Sequence, residues 1–175
     1  MATAAKARQK PKAGRSRHTE GPPKIRPKSL ADYFEVLTRA VFQSRMSWQV
    51  IEAKWDGFRE PFAGFDPKKV ARFTAKDVNR LTGDTRIIRN RRKIEATVAN
   101  ARTLVDLDKE YGGFKRFLRA HDGFEDTVAA LVKEFKFLGD MGAYYFLLVV
   151  REPVPSYQKW TKSRGITPKK RRVRR

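Results

Sequence analysis

Cysteine is absent from this chain of 175 residues, and histidine occurs only twice. Without cysteine the chain has no disulfide bonds, no thiolate zinc ligands and no thiol nucleophile. His18 and His121 lie far apart in the sequence, so we predict neither a metal site nor a cofactor. A cysteine-free chain suits a reducing compartment, and we therefore expect a cytoplasmic protein.

Long hydrophobic runs are also missing. No stretch approaches the roughly 18 apolar residues of a membrane span, and the N-terminus lacks the apolar segment of a secretory signal. We therefore expect no membrane partner. The chain has no glycine-rich phosphate loop, nucleophile elbow or His-Glu-x-x-His motif. An organelle transit peptide at the N-terminus and a nuclear-localisation cluster at residues 169–175 are minor alternatives.

Positive charge is abundant, and most of it lies near the two ends of the chain. The net charge is +21, with nine Lys and Arg residues within 1–28 and nine more within 158–175, against a single acid in the two segments. We predict two disordered basic tails, 1–28 and 158–175, around one helical domain at 29–157. Tails of this kind favour a polyanion partner, usually nucleic acid, although solubility tails have the same composition.

The middle of the chain has the periodicity and capping residues of helices. No segment alternates convincingly with a period of two, so we predict an all-α fold, a compact bundle of about eight or nine short helices. Ser29 with Asp32 and Thr74 with Asp77 resemble capping boxes, and Asp66 precedes a proline. The predicted helices are 30–45, a second from Ser47 through Trp55, 67–73, 75–81, 87–111, 114–120, 124–135 and 141–150.

Two helix–hairpin–helix units can be placed on this pattern, one before Ile87 and one at residues 136–139. A tight hairpin exposes backbone N–H groups at the start of the second helix, where they bind phosphate. An ordinary corner between helices would look the same in sequence. Gly139 would provide the conformation and the close approach that such a turn needs. The predicted contacts to a nucleic-acid backbone are Arg86, Arg89, Arg91, Arg92, Lys93, Lys136, Leu138 and Gly139.

One aromatic residue, Trp48, is a candidate for contact with a base. Trp48 follows the potential helix cap Ser47, and Tyr144 and Tyr145 lie in the last apolar helix. A tryptophan here is either part of the core or a platform on which a base stacks. At least one of the tyrosines is expected in the core, with a partner for its hydroxyl.

Residues 34–145 resemble the DNA-3-methyladenine glycosylase I family of helix–hairpin–helix DNA glycosylases. The resemblance depends on an ordered set of short matches, none of which is diagnostic alone. They are Phe34-Glu35, Gln43, Ser47-Trp48, Phe65-Asp66-Pro67, Lys69-Val70-Ala71, Asp77-Val78, Arg80-Leu81, Ile87-Ile88-Arg89, Arg91, Lys93-Ile94, Asn100-Ala101-Arg102, Phe135 to Gly139, Tyr144 and Phe146.

The resemblance implies a base-binding pocket with Trp48 stacking on the base and Gln43 and Tyr144 lining the pocket. It also implies that Leu138 and Gly139 form the phosphate-binding hairpin, with Phe137 in place of the first glycine of the common pattern.

The chain departs from the family at two sites. The family's pocket carboxylate corresponds to Ala40, so the catalytic residue is unknown, and Glu35 and Glu52 are the nearby carboxylates. The cysteines of the family's zinc site are absent, which makes the chain a zinc-less, divergent member. The lyase lysine of other helix–hairpin–helix glycosylases is missing near Asp140, so a Schiff-base lyase is not expected.

Two functions are compatible with these residues. One is a DNA-repair N-glycosylase that flips out an alkylated base from double-stranded DNA and hydrolyses its glycosidic bond. The other is a non-catalytic DNA-binding protein on the same scaffold. Both predict a monomer associated with the nucleoid.

Overall fold

Several helices begin after a residue whose side chain caps them, among them Ser29, Asp66 and Asn90. The structure is a computed structural model that describes residues 23–165. Within that range the chain forms helices and turns and no strand, so the predicted all-α fold is confirmed. The helices are α1 (Leu30–Gln43), α2 (Trp48–Lys54), α3 (Pro67–Val70), α4 (Ala75–Gly83), α5 (Arg91–Glu110), α6 (Phe114–Arg119), α7 (Phe124–Glu134), α8 (Asp140–Val149) and α9 (Tyr157–Ser163).

Both predicted capping boxes are present. The carboxylate of Asp32 accepts from the backbone N–H of Ser29 at 2.9 Å, and Asp77 accepts from that of Thr74 at 2.9 Å. A cap of this type contributes about 1 kcal/mol to helix stability. None of the helices in residues 23–165 is long and apolar enough to span a membrane.

The core forms around α5, which contacts α1, α3, α4 and α6, while α8 packs between α1 and α7. Between α2 and α3 the chain makes two short 3₁₀ turns, Trp55–Phe58 and Ala63–Phe65. Stacked rings hold these turns, with Trp55 4.9 Å from Phe58 and 5.4 Å from Phe65 between centroids. Gly57 is required here, since a Cβ at this position would lie 2.4 Å from the carbonyl oxygen of Arg86.

Helix α5 begins four residues later than the sequence predicts. Residues 84–90 form an irregular connection in which the carboxylate of Asp84 accepts from the backbone N–H of Arg86 at 3.0 Å. The helix begins after Asn90, whose side-chain oxygen accepts from the N–H of Lys93 at 3.2 Å. The apolar residue Ile87 is buried in this connection rather than on the helix, which explains the wrong boundary.

Helix α9 corrects the predicted boundary between the domain and the C-terminal tail. Ser156 caps it, and Trp160 is buried and stacks on Tyr144 at 4.5 Å. At the other end, the backbone N–H of Ile25 donates to the carbonyl of Val149 at 2.8 Å. Residues 158–163 and the contact at Ile25 therefore belong to the folded domain. The disorder predicted for residues 1–22 and 166–175 lies outside the described residues.

Candidate active site

A cavity of about 420 Å³ opens between α1, the start of α2, α8 and residues 23–28. This volume is within the range of small-molecule sites, about 300–1,000 Å³. We call it the main cavity. Its lining residues are Pro23, Ile25, Arg26, Lys28, Asp32, Glu35, Val36, Arg39, Ala40, Gln43, Trp48, Tyr145, Phe146 and Val149.

One face of α1 forms the floor of the main cavity. Glu35, Arg39 and Gln43 are spaced by four residues, and side chains with that spacing share a helix face. Ala40 lies beside them and contributes no polar side-chain atom. Gln43, which was predicted to bind a base, thus lies next to Ala40. Ala40 is the position at which the resemblance places the family's pocket carboxylate.

Trp48 lines the same cavity from the first position of α2. The hydroxyl of Ser47 accepts from the N–H of Val50 at 3.4 Å and fixes the start of this helix. Trp55 and Trp160 are buried in the core, whereas Trp48 is only partly buried. An indole held at a cavity wall with part of its surface exposed can stack on a flat ligand.

Tyr144 does not line the main cavity, in contrast to the sequence-based prediction. Its ring is buried against Trp160, and its hydroxyl donates to the carbonyl of Pro155 at 2.9 Å. The neighbouring Tyr145 lines the cavity instead. Burial raises the pKa of Tyr145, so its hydroxyl stays protonated and can donate at neutral pH.

The two carboxylates near the cavity have different environments. Glu35 lines the cavity; its Oε1 accepts from Nε1 of Trp55 at 3.0 Å and its Oε2 from Arg59 at 3.4 Å. Glu52 is exposed and does not line it, and its Oε1 accepts from Arg39 at 2.8 Å. Glu35 is thus the glutamate whose charge acts on the cavity.

Arg39 lines the cavity, and its guanidinium lies against two indole rings. Its guanidinium carbon lies 4.4 Å from the centre of the Trp55 ring and 5.6 Å from that of Trp48. Burial lowers the pKa of Arg39, and Glu52 opposes that shift. A guanidinium nevertheless remains charged in proteins. Sequence analysis missed Arg39, although its spacing of four residues from both Glu35 and Gln43 indicates the shared face.

The second predicted hairpin lies between α7 and α8. Asn100 of α5 holds it in place: its Nδ2 donates to the carbonyl of Lys136 at 2.9 Å, and its Oδ1 accepts from the N–H of Lys136 at 2.8 Å. Phe137 has a φ of 58°, the left-handed conformation that favours glycine. A glycine would adopt this conformation without strain, whereas Phe137 adopts it despite its side chain.

Gly139 is the N-cap residue of α8. The prediction that the turn needs the backbone freedom of a glycine here is wrong. The Gly139 φ of −88° is open to any residue, and an added Cβ would meet no atom of the described chain within 4 Å. The glycine is therefore not needed for the turn itself. Its lack of a side chain leaves the N-terminal N–H groups of α8 accessible, as binding of a phosphate requires.

A surface depression of about 650 Å³ separates this hairpin from the turn between α1 and α2. Arg45 and Met46 of that turn form one side, and Arg92 forms part of the other. Leu138 is buried beneath the depression, while Lys136 and Phe137 are exposed on the hairpin. Four of the predicted backbone contacts line the depression: Arg92, Lys93, Leu138 and Gly139.

The predicted basic run does not form one uniform surface. Arg86 is paired with Asp84 and Glu60, each at 2.8 Å, and Nε of Arg91 donates to Glu95 at 2.9 Å. Arg89 and Arg92 are exposed. Those two arginines are the members of the run best placed for contact with a phosphate.

Lys93 is buried and has a structural role, contrary to the prediction of a phosphate contact. Its ammonium group donates to the carbonyls of Phe42 at 2.7 Å and Ser44 at 2.6 Å, at the C-terminal end of α1. Burial lowers its pKa. Lys93 shares the buried stripe of α5 with Thr97, Asn100 and Leu104, and this periodicity could have separated it from its exposed neighbours.

Replacing Lys93 with methionine is expected to lower the free energy of unfolding by about 1–3 kcal/mol. The substitution leaves two carbonyls without their donor at the turn that carries Trp48. Thermal or urea unfolding measures the loss. Lys109→Met on the exposed end of the same helix is the control, since Lys109 is exposed. Equal stability of the two variants would contradict the structural role.

Within residues 23–165 no group of three or more acidic or histidine side chains is arranged to hold a metal ion. A helical bundle that contains a hairpin before α8 and a cavity lined by Trp48 and Tyr145 has the architecture of the helix–hairpin–helix DNA glycosylase class.

The chain belongs to the methyladenine glycosylase family, whose model matches residues 26–138. It is 35% identical over 85 residues to the DNA-3-methyladenine glycosylase of Haemophilus influenzae, and 36% identical over 85 residues to DNA-3-methyladenine glycosylase 1 of Escherichia coli. Each match covers 49% of this chain and 46% of the relative, so the chain matches about half the length of these relatives.

Solved structures show the same fold. The 3-methyladenine DNA glycosylase I of Staphylococcus aureus superimposes with a TM-score of 0.63 at 28% identity, over 76% of this chain and 80% of that one. A solution structure of 3-methyladenine DNA glycosylase I gives a TM-score of 0.61 at 27% identity, over 74% and 78% of the two chains.

Proposed function

We propose that this protein is a DNA N-glycosylase that flips an alkylated base out of double-stranded DNA into the main cavity and hydrolyses its glycosidic bond. The observation that carries this proposal is Trp48, partly exposed at the wall of the main cavity. Membership of the methyladenine glycosylase family supports it, and the relatives are named DNA-3-methyladenine glycosylases.

The chemistry of an alkylated base requires little acid–base catalysis. Alkylation at a ring nitrogen places positive charge on the base and weakens the bond from that base to C1′ of the sugar. The bond breaks with its electron pair going to the base, which leaves neutral. Water adds its oxygen to C1′ and releases a proton. The protein must supply extrusion, stacking and orientation, and flipping costs a few kcal/mol.

The residues of the main cavity fit these tasks. Trp48 supplies a face for stacking, which contributes about 1–3 kcal/mol per base. Gln43 and the hydroxyl of Tyr145 supply neutral hydrogen-bonding groups. The negative charge of Glu35 would stabilise the positive charge that develops on the sugar as the bond breaks.

DNA is held, in this proposal, on the side of the depression. The N-terminal N–H groups of α8 bind one phosphate, and the exposed side chains of Arg89, Arg92 and Lys136 bind neighbouring ones. A monomer suffices, because the cavity and the hairpin come from one chain. A DNA substrate also favours a cytoplasmic, nucleoid-associated protein.

The test is base release from methylated duplex DNA, with all freed bases identified by mass spectrometry. We expect an alkylpurine to be released at a rate well above that of spontaneous depurination. Unmethylated duplex of the same sequence is the control. Tight, salt-dependent binding without release of any base would instead favour a DNA-binding protein that has no glycosylase activity.

A further inference from the structure

The polar groups of the main cavity are unequally available to a ligand. Asp32 uses its carboxylate in the cap of α1, where Oδ2 accepts from the N–H groups of Lys28 at 2.7 Å and Ser29 at 2.9 Å. Both oxygens of Glu35 accept from side chains, Trp55 and Arg59. The two carboxylates lining the cavity are therefore engaged with this chain's own donors.

Arg39 has more N–H donors than it uses in hydrogen bonds to the described residues. A guanidinium carries five N–H donors in a planar fork. Among the described residues, the hydrogen bond from Arg39 is the one to Glu52, at 2.8 Å. Its guanidinium lies over the rings of Trp55 and Trp48, and its side chain is 20% exposed. Arg39 also lines the main cavity, so a base held there can meet these donors.

Purines differ in what they present to such donors. A guanine-type base presents a carbonyl oxygen and a ring nitrogen, both acceptors, whereas an adenine-type base presents an amino donor beside the ring nitrogen. The fork of an arginine matches the first pattern, and the amino group of the second opposes it. Ala40, next to Arg39, offers no acceptor for that amino group.

We propose that Arg39 determines the specificity of the main cavity, selecting an alkylated purine with a carbonyl oxygen at C6 over one with an amino group at C6. The inference depends on the proposed glycosylase function and names its substrate class. It predicts that 3-methylguanine is released in preference to 3-methyladenine. Both lesions are alkylated at the same nitrogen and carry the same charge in DNA, and they differ in the group at C6 and in the amino group that guanine carries at C2.

The experiment measures single-turnover release of both bases from one sample of methylated duplex DNA. We expect the wild-type protein to favour 3-methylguanine and Arg39→Met to reduce that preference about tenfold to hundredfold. Arg119→Gln is the matched control, because Arg119 also pairs with a glutamate, at 3.1 Å, but does not line the main cavity. The reciprocal variant Ala40→Glu should raise the relative release of 3-methyladenine.

Binding of the free bases, followed by tryptophan fluorescence, gives a second readout that needs no catalysis. Free 3-methylguanine should bind the wild-type protein more tightly than 3-methyladenine, and Arg39→Met should remove the difference. If Arg39→Met is unstable, the same binding measurement on Ala40→Glu still tests the proposal.

The outcomes separate the two proposals. Preferred release of 3-methyladenine, or a preference unchanged in Arg39→Met, overturns the role of Arg39 and leaves the glycosylase function intact. Equal weakening of all DNA binding by Arg39→Met also overturns it, because Arg39 would then be a phosphate contact. If no base is released, the glycosylase function fails, and equal binding of the two free bases would overturn the specificity as well.

Discussion

Replacement of Trp48 with alanine is expected to reduce base release by about two orders of magnitude while duplex binding falls only modestly. Stacking of an aromatic side chain on a base contributes about 1–3 kcal/mol, or roughly 5- to 150-fold. The flipped base would lose that platform. The proposed phosphate contacts are on the hairpin and at the start of α5, and the substitution does not touch those residues.

Single-turnover release and equilibrium binding to the same methylated duplex measure the two effects separately. Trp48→Phe should retain much of the activity because it keeps an aromatic face. Val50→Ala is the matched control: Val50 is 43% exposed on the same helix and does not line the main cavity. Stability should change little, since Trp48 is not part of the buried core. A large loss of stability, or equal losses of binding and release, would assign Trp48 to the core.

The helix starts could be predicted because their causes are local in sequence. Ser29 with Asp32, and Thr74 with Asp77, satisfy backbone donors within one turn, so the pattern is readable without knowledge of the fold. The same is true of Ser47 before Trp48. The cavity residues Gln43 and Trp48 were found through the family resemblance, which preserves their order along α1 and α2.

The predictions were wrong where contacts between distant parts of the chain determine which side chain faces the cavity. Tyr144 and Tyr145 are adjacent, and successive residues of a helix point about 100° apart. Which of the two faces the cavity depends on α9, where Trp160 stacks on Tyr144. The sequence predicted a disordered tail at residues 158–175 rather than this helix, because the many basic residues there outnumber the single tryptophan.

A run of basic residues in the sequence does not have to form a basic surface in the fold, as Lys93 shows. Its position on the buried stripe of α5 places the ammonium group under the last carbonyls of α1, across 51 residues of sequence from Phe42. Arg86 and Arg91 lie in the same run but pair with acids of this chain. The structure therefore narrows the predicted DNA contacts of this run to Arg89 and Arg92.

Removal of both terminal segments, residues 1–22 and 166–175, is expected to cause the largest loss of DNA affinity of any change considered. Each segment carries six Lys and Arg residues. Each phosphate contact that is lost lowers the slope of log affinity against log salt by about 0.9. The full chain should therefore lose affinity about 10³-fold or more between about 50 and 200 mM salt, and the truncated protein much less.

The truncated protein should remain folded, since it keeps every core residue that the structure describes, all within 23–165. Its melting temperature is the check, and base release at low salt should persist because the main cavity is retained. A full-length variant with Arg89→Gln and Arg92→Gln is the control, and its slope should fall by about two units at most. If truncation left the slope unchanged while this double variant lowered it, the folded domain would carry the phosphate contacts. The high charge of the ends would then serve solubility rather than DNA binding.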